Sequence, residues 1–390
     1  MTVQRDRLTW SIYSYLGLWG WFLYSFGPSV PLIRDEQGTS RAVAGLHGTS
    51  LAVGALLAAA LTVPVTRRLG RRRTLLLAAG LVTVGVALLV AVRWTPWTIA
   101  SCAVVGTGGS LGLNTTSAVL SVHHDEAGPA AISEANGVGA GLGVLAPLAL
   151  GASIGLGLTW RGSLGLAIPL ALLAFALVAT APRRPALLGG PPPAAEDAGR
   201  LPLRFWPALG LLMSCVAVEF CTTYWTGDLL HDRTGVPPRV GAALVSAVII
   251  GMAIGRALAS RLTRLAGLDA LLGGTIVVAA AGWLVMWLAT DVRVAAVGLL
   301  VTGLGLALQF PLSISRLMAV SSGRLDAATG WASLGAGLAS GVAPFVLGAL
   351  ADAVGPHTGF LLVPALLVVA AVMLLAPRAR RALAVPAAGR

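Results

Sequence analysis

Long apolar segments, each of twenty residues or more, recur from one end of this chain to the other. Polar loops between them are mostly short. A helix rises 1.5 Å per residue, so about twenty residues cross a hydrocarbon core of about 30 Å. Twelve such segments are readable, near residues 8–33, 42–66, 74–93, 97–122, 131–158, 161–182, 204–231, 239–263, 269–290, 294–318, 327–353 and 358–377. Only 11% of residues are charged and mean hydropathy is +0.85, where a soluble domain carries roughly a quarter charged residues. The short alternating segments of a membrane β-barrel are absent. The fold class expected is all-α integral membrane, with twelve transmembrane helices.

The net charge of +12 invites a nucleic-acid partner, but its distribution argues against one. All 27 basic residues are arginines. With a cytoplasmic N-terminus, 19 of them fall in inner loops or tails and 7 in outer loops, while Arg256 lies inside an apolar segment. That asymmetry predicts cytoplasmic termini in a multi-pass protein of the plasma or inner membrane. It also predicts attraction to anionic lipid heads of the bilayer rather than to nucleic acid. The first apolar stretch is too long for a cleavable signal. Trp10, Trp94, Trp97, Trp160 and Trp206 sit at segment ends, where an indole belongs at headgroup level. Cys102, Cys215 and Cys221 fall within apolar segments and read as small core hydrophobes, with neither disulfide nor metal spacing.

Residues 183–203 form the one long Pro/Gly-rich polar piece, with Pro191–Pro193, Glu196 and Asp197. They read as a cytoplasmic linker between residues 1–182 and 204–390. The two parts look alike. Adding 197 carries Gly38 to Gly235, Arg67 to Arg264, Gly70 to Gly267, Gly106 to Gly303, Gly108 to Gly305, Pro147 to Pro344 and Gly151 to Gly348. Repeated halves with a site between them recur in secondary transporters. These features resemble the major facilitator superfamily. So do Arg-Arg-Leu-Gly-Arg-Arg-Arg (67–73), Trp160-Arg161, and Gly337 to Gly348 with Pro344 and Ala351-Asp352. Val63 and Arg67 depart from the family loop motif, which has Gly and Asp there. Glu219, Trp225, Gly251, Gly255, Arg256, Phe310-Pro311 and Asn114 are similar to the fucose-permease-like branch. The resemblance implies two pseudo-symmetric six-helix halves, with spans one, four, seven and ten lining a central cavity.

Glu219 is the residue most expensive to explain away. A carboxyl at bilayer depth costs several kcal/mol unless it meets water, a partner or a ligand. Thr222, Thr223 and Thr226 follow on its helical face. Its expected role is proton coupling or substrate binding; the plainer alternative is an acid satisfied by neighbouring hydroxyls or an arginine. Polar stripes also run through span four (Thr107, Ser110, Asn114, Ser117, Ser121) and span ten (Thr302, Gln309, Ser313, Arg316), and these are expected to face a cavity. Trp21 and Tyr24 in span one, Tyr224 and Trp225 in span seven and Trp331 in span eleven are candidates for stacking on a solute; packing alone is the other reading. Arg67, Arg68, Gly70, Arg71 and Arg72 form a candidate cytoplasmic gate motif. For Asp228, a solvated rim charge is the plainer reading and a gate pair with Arg34 or Arg41 the sharper one. Gly137/Gly141, Gly139/Gly143, Gly251/Gly255 and Gly337/Gly341 are spaced for close helix contact, expected between the halves.

Gly108-Gly109-Ser110-Leu111-Gly112 matches a nucleophile-elbow pattern, but that motif needs a strand-to-helix turn, and here it lies in an apolar helix. No phosphate-binding loop with Lys exists, so neither an enzyme nor an ATP-driven pump is expected, and no cofactor. The expectation is a monomeric, proton-coupled secondary transporter of a small polar or sugar-like molecule. Efflux of cationic or amphipathic compounds is the alternative, and a non-transporting membrane receptor a third.

Overall fold

A computed structural model describes residues 3–182, 184–188 and 201–383. Most of the expected linker therefore lies outside the described residues. These fold into helices with no strand among them: α1 (Arg7–Gln37), α2 (Arg41–Ala91), α3 (Thr95–His124), α4 (Gly128–Gly155), α5 (Thr159–Gly165), α6 (Ala167–Thr180), α7 (Pro185–Leu188), α8 (Phe205–Thr234), α9 (Pro238–Ala257), α10 (Ala259–Leu265), α11 (Leu268–Leu288), α12 (Val292–Leu306), α13 (Gln309–Ala319), α14 (Leu325–Val354), α15 (Pro356–Gly359) and α16 (Leu362–Leu383). Nine helical stretches among the described residues are long and apolar enough to cross a membrane.

Breaks in the helices have local causes. The 51-residue α2 is interrupted at Gly70, whose φ of 76° and ψ of 160° lie where only glycine sits without strain. Segments expected to be continuous at 161–182 and 294–318 divide after Gly165 and Leu306. Pro169 and Pro311 follow four residues after Gly165 and Ala307. A proline ring has no N–H to return to the carbonyl four residues back. Pro28, Pro31, Pro64, Pro147 and Pro344, by contrast, sit inside continuous helices.

Glycines set how closely the helices approach. A Cβ on Gly54 would lie 2.1 Å from the Ala103 oxygen, and one on Gly106 2.1 Å from that of Leu51. Between α9 and α12, a Cβ on Gly251 would lie 2.2 Å from the Leu300 oxygen, and one on Gly303 2.0 Å from that of Val248. Each residue of the second set stands 197 positions after its counterpart in the first. The helix ends at Gly38 and Gly235 follow the same offset, both left-handed with φ of 61° and 67°. Of the pairs spaced for close contact, Gly139 and Gly143 pack on Leu16 and Tyr24 of α1, and Gly251 and Gly255 on α12. Gly337 and Gly341 face Leu56, Ala52 and Thr49 of α2, while Gly137 and Gly141 have no neighbour within 4 Å. Only the α14 pair therefore serves a contact between N-terminal and C-terminal helices. The reason is that α4 and α9 turn their glycine faces to the helix they pack with most tightly in their own part of the chain.

Trp160 corrects another expectation. It is 2% exposed rather than at the surface, and its indole donates to Glu36 at 2.7 Å. Arg161 and Arg93 pair with the same carboxylate, and the Arg161 guanidinium lies 4.3 Å over the Trp160 ring. This knot joins the ends of α1, α2 and α5. Burial pushes the Glu36 carboxyl upward, but Arg161, Trp160 and Arg93 together hold it below the usual range.

Two measurements test these contacts. Gly303→Ala should lower the melting temperature of the detergent-solubilised protein, with overpacking costing about 1–3 kcal/mol; an unchanged melting temperature would show that the close approach carries no weight. Glu36's stabilisation is present above its unfolded pKa of about 4.5 and disappears as pH falls through the lower folded value. Wild type should thus lose more thermal stability than Glu36→Gln between about pH 6 and pH 3.

Candidate functional site

α8 packs against α1, α9, α13, α14 and α16, which places the midpoint of α8 where N-terminal and C-terminal helices meet. Glu219 lies there, half-buried. Tyr24 of α1 and Arg256 of α9 lie near enough for their charge and polarity to act on it. The Tyr24 ring is seated by Gly143 of α4, where a Cβ would lie 2.4 Å away. Arg256 is the penultimate residue of α9, beside the break at Leu258, and it is exposed. The consecutive helices α8 and α9, with α1 from the far end of the chain, thus bring an acid, a base and a phenol near one another.

The rest of the Glu219 stripe behaves differently. Thr222 and Thr226 are fully buried, and Thr222 bonds the Val218 carbonyl of its own helix at 2.7 Å. Thr223 bonds the Glu219 carbonyl at 3.0 Å. Span four keeps its polar row open: Thr107, Ser110, Asn114, Ser117 and Ser121 are all at least partly exposed, while Gly108, Gly109, Gly112, Thr115 and Thr116 between them are packed. Asn114 donates to the Thr62 hydroxyl at 3.1 Å. The span-ten row, expected to face a cavity, is buried instead. Gln309 points to the Thr275 carbonyl of α11 at 3.4 Å, Ser313 to the Cys215 sulfur at 3.7 Å, and Arg316 to Asp269 and the Leu374 carbonyl. The break at Ala307–Leu308 rotates α13 so that Phe310, Ile314 and Met318 face outward from that packing. With Thr329, Ala332, Ser333 and Ala336 of α14 they line a groove of about 540 Å³.

The aromatic candidates are mostly packing groups. Trp21 donates to the Ser163 carbonyl at 2.9 Å, and Trp225 to the Pro344 carbonyl at 2.8 Å. Tyr224 fills the space beside Gly27 and Gly48, where a Cβ would lie 2.8 and 2.7 Å away. Trp331 is 40% exposed and stands edge-on to Trp206 at 5.2 Å. Within the loop motif, Arg67 and Arg68 are exposed. Arg71 donates to the Ala186 carbonyl at 3.1 Å and Arg72 to that of Ala179. These two bonds tie the Gly70 turn to α6 and α7, not to the C-terminal helices.

At the opposite, Gly38 end the bundle is closed by an ion network. Asp228 of α8 is 6% exposed and accepts from Arg34 and Arg41, each at 2.7 Å. The solvated-rim reading is thereby overturned: the carboxylate is held between the Arg34 and Arg41 guanidinium groups and is nearly buried. Asp352 of α14 accepts from the backbone N–H groups of Arg41 and Ala42, at 3.0 and 2.8 Å. An acid at a helix start both satisfies orphan donors and meets the positive end of the helix dipole. Gly45 and Gly348 allow the α2 and α14 backbones to meet here.

A bundle of apolar helices, polar at its midpoint and pinned at one end by ion pairs, defines a multi-pass membrane transporter. The chain belongs to the major facilitator superfamily, whose family model matches residues 13–289 and 208–390. Solved structures of low identity share the fold. The nucleoside transporter NupG is 15% identical with a TM-score of 0.76, covering 95% of this chain and 98% of that one. A bacterial homolog to the human lysosomal transporter Spinster, inward-facing and unoccupied, is 17% identical with a TM-score of 0.72, covering 95% and 96%. A D-xylose–proton symporter is 15% identical with a TM-score of 0.73, covering 94% and 96%. No curated protein matches by sequence.

Arg256 was the residue most easily overlooked. Its signal was available, because it is the arginine that the loop count leaves inside an apolar segment.

Breaking the network at the Gly38 end should open it. Asp228→Asn removes the acid that Arg34 and Arg41 share, leaving Arg34 with Asp35 and Arg41 with Asp352, a loss of about 1–3 kcal/mol. A cysteine placed at the fully buried Ala44, in a background lacking the native cysteines, should then react with a polar maleimide faster than in the parent. Equal labelling rates would exclude a latch.

Proposed function

We propose that this protein is a proton-coupled secondary transporter of a small polar solute, working by alternating access in the cell membrane. One observation carries the proposal. Glu219 and Tyr24 lie midway along helices whose Gly38 ends are sealed together, with Arg256 near them at the end of α9. Dividing the stretches of 51 and 61 residues at Gly70 and at the Asp125–Ala127 turn, and adding α1, turns nine membrane stretches into twelve. The contacts repeated at an offset of 197 support two related halves, residues 1–182 and 204–390, joined by a linker. On the arginine count both termini are cytoplasmic, so the sealed Gly38 end is outer and the bundle is closed towards the outside.

In this reading Glu219 takes up and releases the coupled proton, since a carboxyl at bilayer depth is neutral unless a cation or water supports its charge. The resting network of Asp228 with Arg34 and Arg41 opens when the halves rock. The chain acts as a monomer, with the solute, protons and surrounding lipid as its partners. The NupG and D-xylose symporter structures support a hydroxyl-rich solute. Efflux of organic cations is disfavoured by the exposed Arg256 beside the acid.

The test is transport in proteoliposomes loaded with a pH dye, offering pentoses, nucleosides, organic acids and organic cations in turn. Glu219→Gln should lose proton-driven accumulation while keeping solute exchange. Accumulation equal to wild type in Glu219→Gln would remove the carboxyl from the mechanism.

A further inference from the structure

We propose that the groove between α13 and α14 seats the apolar part of the transported solute, and that this solute is an uncharged molecule joining a flat apolar group to a hydroxyl-bearing one. The inference rests on the transporter reading and adds the substrate class.

The groove lies on the inside of the bundle. Along α14, Gly335 meets Leu209 and Met213 of α8, while Gly337 and Gly341 meet Leu56, Ala52 and Thr49 of α2. At about 100° per residue, Thr329, Ala332, Ser333 and Ala336 fall midway between those two faces. Leu334 and Leu338, 37% and 42% exposed, occupy the opposite side, the one left for lipid. On α13, Phe310, Ile314 and Met318 recur at every fourth position and form one ridge, while Ser313 and Arg316 point into the protein. The groove therefore opens into the space between N-terminal and C-terminal helices, away from acyl chains. Apolar surface placed there gains by being covered.

Its lining selects by charge and shape. A volume of about 540 Å³ has room for a small-molecule ligand. None of the seven lining residues is charged. Its hydroxyls are those of Thr329, which meets the Met318 sulfur at 4.0 Å, and of the exposed Ser333. An ion seated here would lose water and gain no partner. The Phe310 ring, 43% exposed, and the adaptable thioether of Met318 are surfaces that hold a flat apolar group.

A polar wall stands at the same depth. Gly45 meets Phe345, Thr49 meets Gly341 and Leu56 meets Gly337, so α2 and α14 run antiparallel. Thr62, six residues after Leu56, thus comes level with Trp331, six before Gly337. Thr62 accepts from the Asn114 amide of α3 at 3.1 Å, and Asn114 stands in the partly exposed row with Ser110 and Ser117. The C-terminal side of the space thus offers carbon, and the N-terminal side offers amide and hydroxyl groups. A plain sugar leaves the groove bare, and a plain hydrocarbon leaves the polar row unanswered.

The experiment uses purified full-length protein and a matched set of probes: xylose, phenyl β-xyloside, benzoate and benzyltrimethylammonium. Phenyl xyloside should raise the melting temperature and bind about tenfold or more tighter than xylose, with both charged aromatics binding more weakly than the xyloside. Place is read at Ser333→Cys in a background lacking the native cysteines. A polar maleimide should label it, and saturating phenyl xyloside should slow that labelling severalfold. Ser333→Phe, which fills the groove from its exposed edge, should bring the affinity for the xyloside down to that for xylose; if it does not fold, Phe310→Ser should show the same trend. Equal affinity for xylose and its phenyl xyloside, a charged aromatic bound as tightly as the xyloside, or labelling that the xyloside leaves unslowed would each overturn the proposal. Proteoliposomes that still accumulate another solute down a proton gradient would then leave the transporter standing, and no accumulation of any compound would bring that reading down as well.

Discussion

Polar groups inside a hydrocarbon slab must be answered by other groups or by water, and much of this structure follows from that demand. Most hydroxyls on the helices answer it locally, as Thr62, Thr107, Thr115, Thr222 and Thr302 do by bonding the carbonyl one turn back. Charged side chains cannot be satisfied so cheaply. At the bundle ends Glu36, Asp228, Asp269 and Asp352 each hold arginines or helix N–H groups, while Glu219 lies half-buried near the middle of α8.

Close packing here rests on the smallest side chain. Glycines at 54, 106, 251 and 303 let backbones touch, fixing α2 against α3 and α9 against α12 as stiff units. Between such units glycines again bring backbones together, at Gly45, Gly151 and Gly348, and polar contacts stand beside them: the Thr49 hydroxyl on the Gly341 carbonyl at 2.8 Å, the Ser246 hydroxyl on that of Val144 at 3.2 Å, and the ion network around Asp228.

Legibility from the sequence varied with the physics involved. The helical membrane class, the contacts repeated at an offset of 197 and the cost of a carboxyl at 219 followed from hydropathy, spacing and desolvation, which can be read without knowing what a segment meets. The rows of Ser, Thr and Gln were harder, because helical periodicity identifies a face without saying what it meets. Span four turned its row to open space. Span ten, broken four residues before Pro311, turned its row into the protein and presented Phe310, Ile314 and Met318 instead. Trp160, Trp225 and Tyr224 were likewise equally good as headgroup anchors, ligand platforms or packing until their neighbours were known.

By itself, the sequence determined what must lie in the membrane and which side chains are costly there, since each is a matter of transfer free energy. Only the tertiary structure decided partnership. That Asp228 holds two arginines and that Arg71 and Arg72 brace α6 and α7 depend on how helices far apart in sequence are rotated against one another. No single segment carries that information.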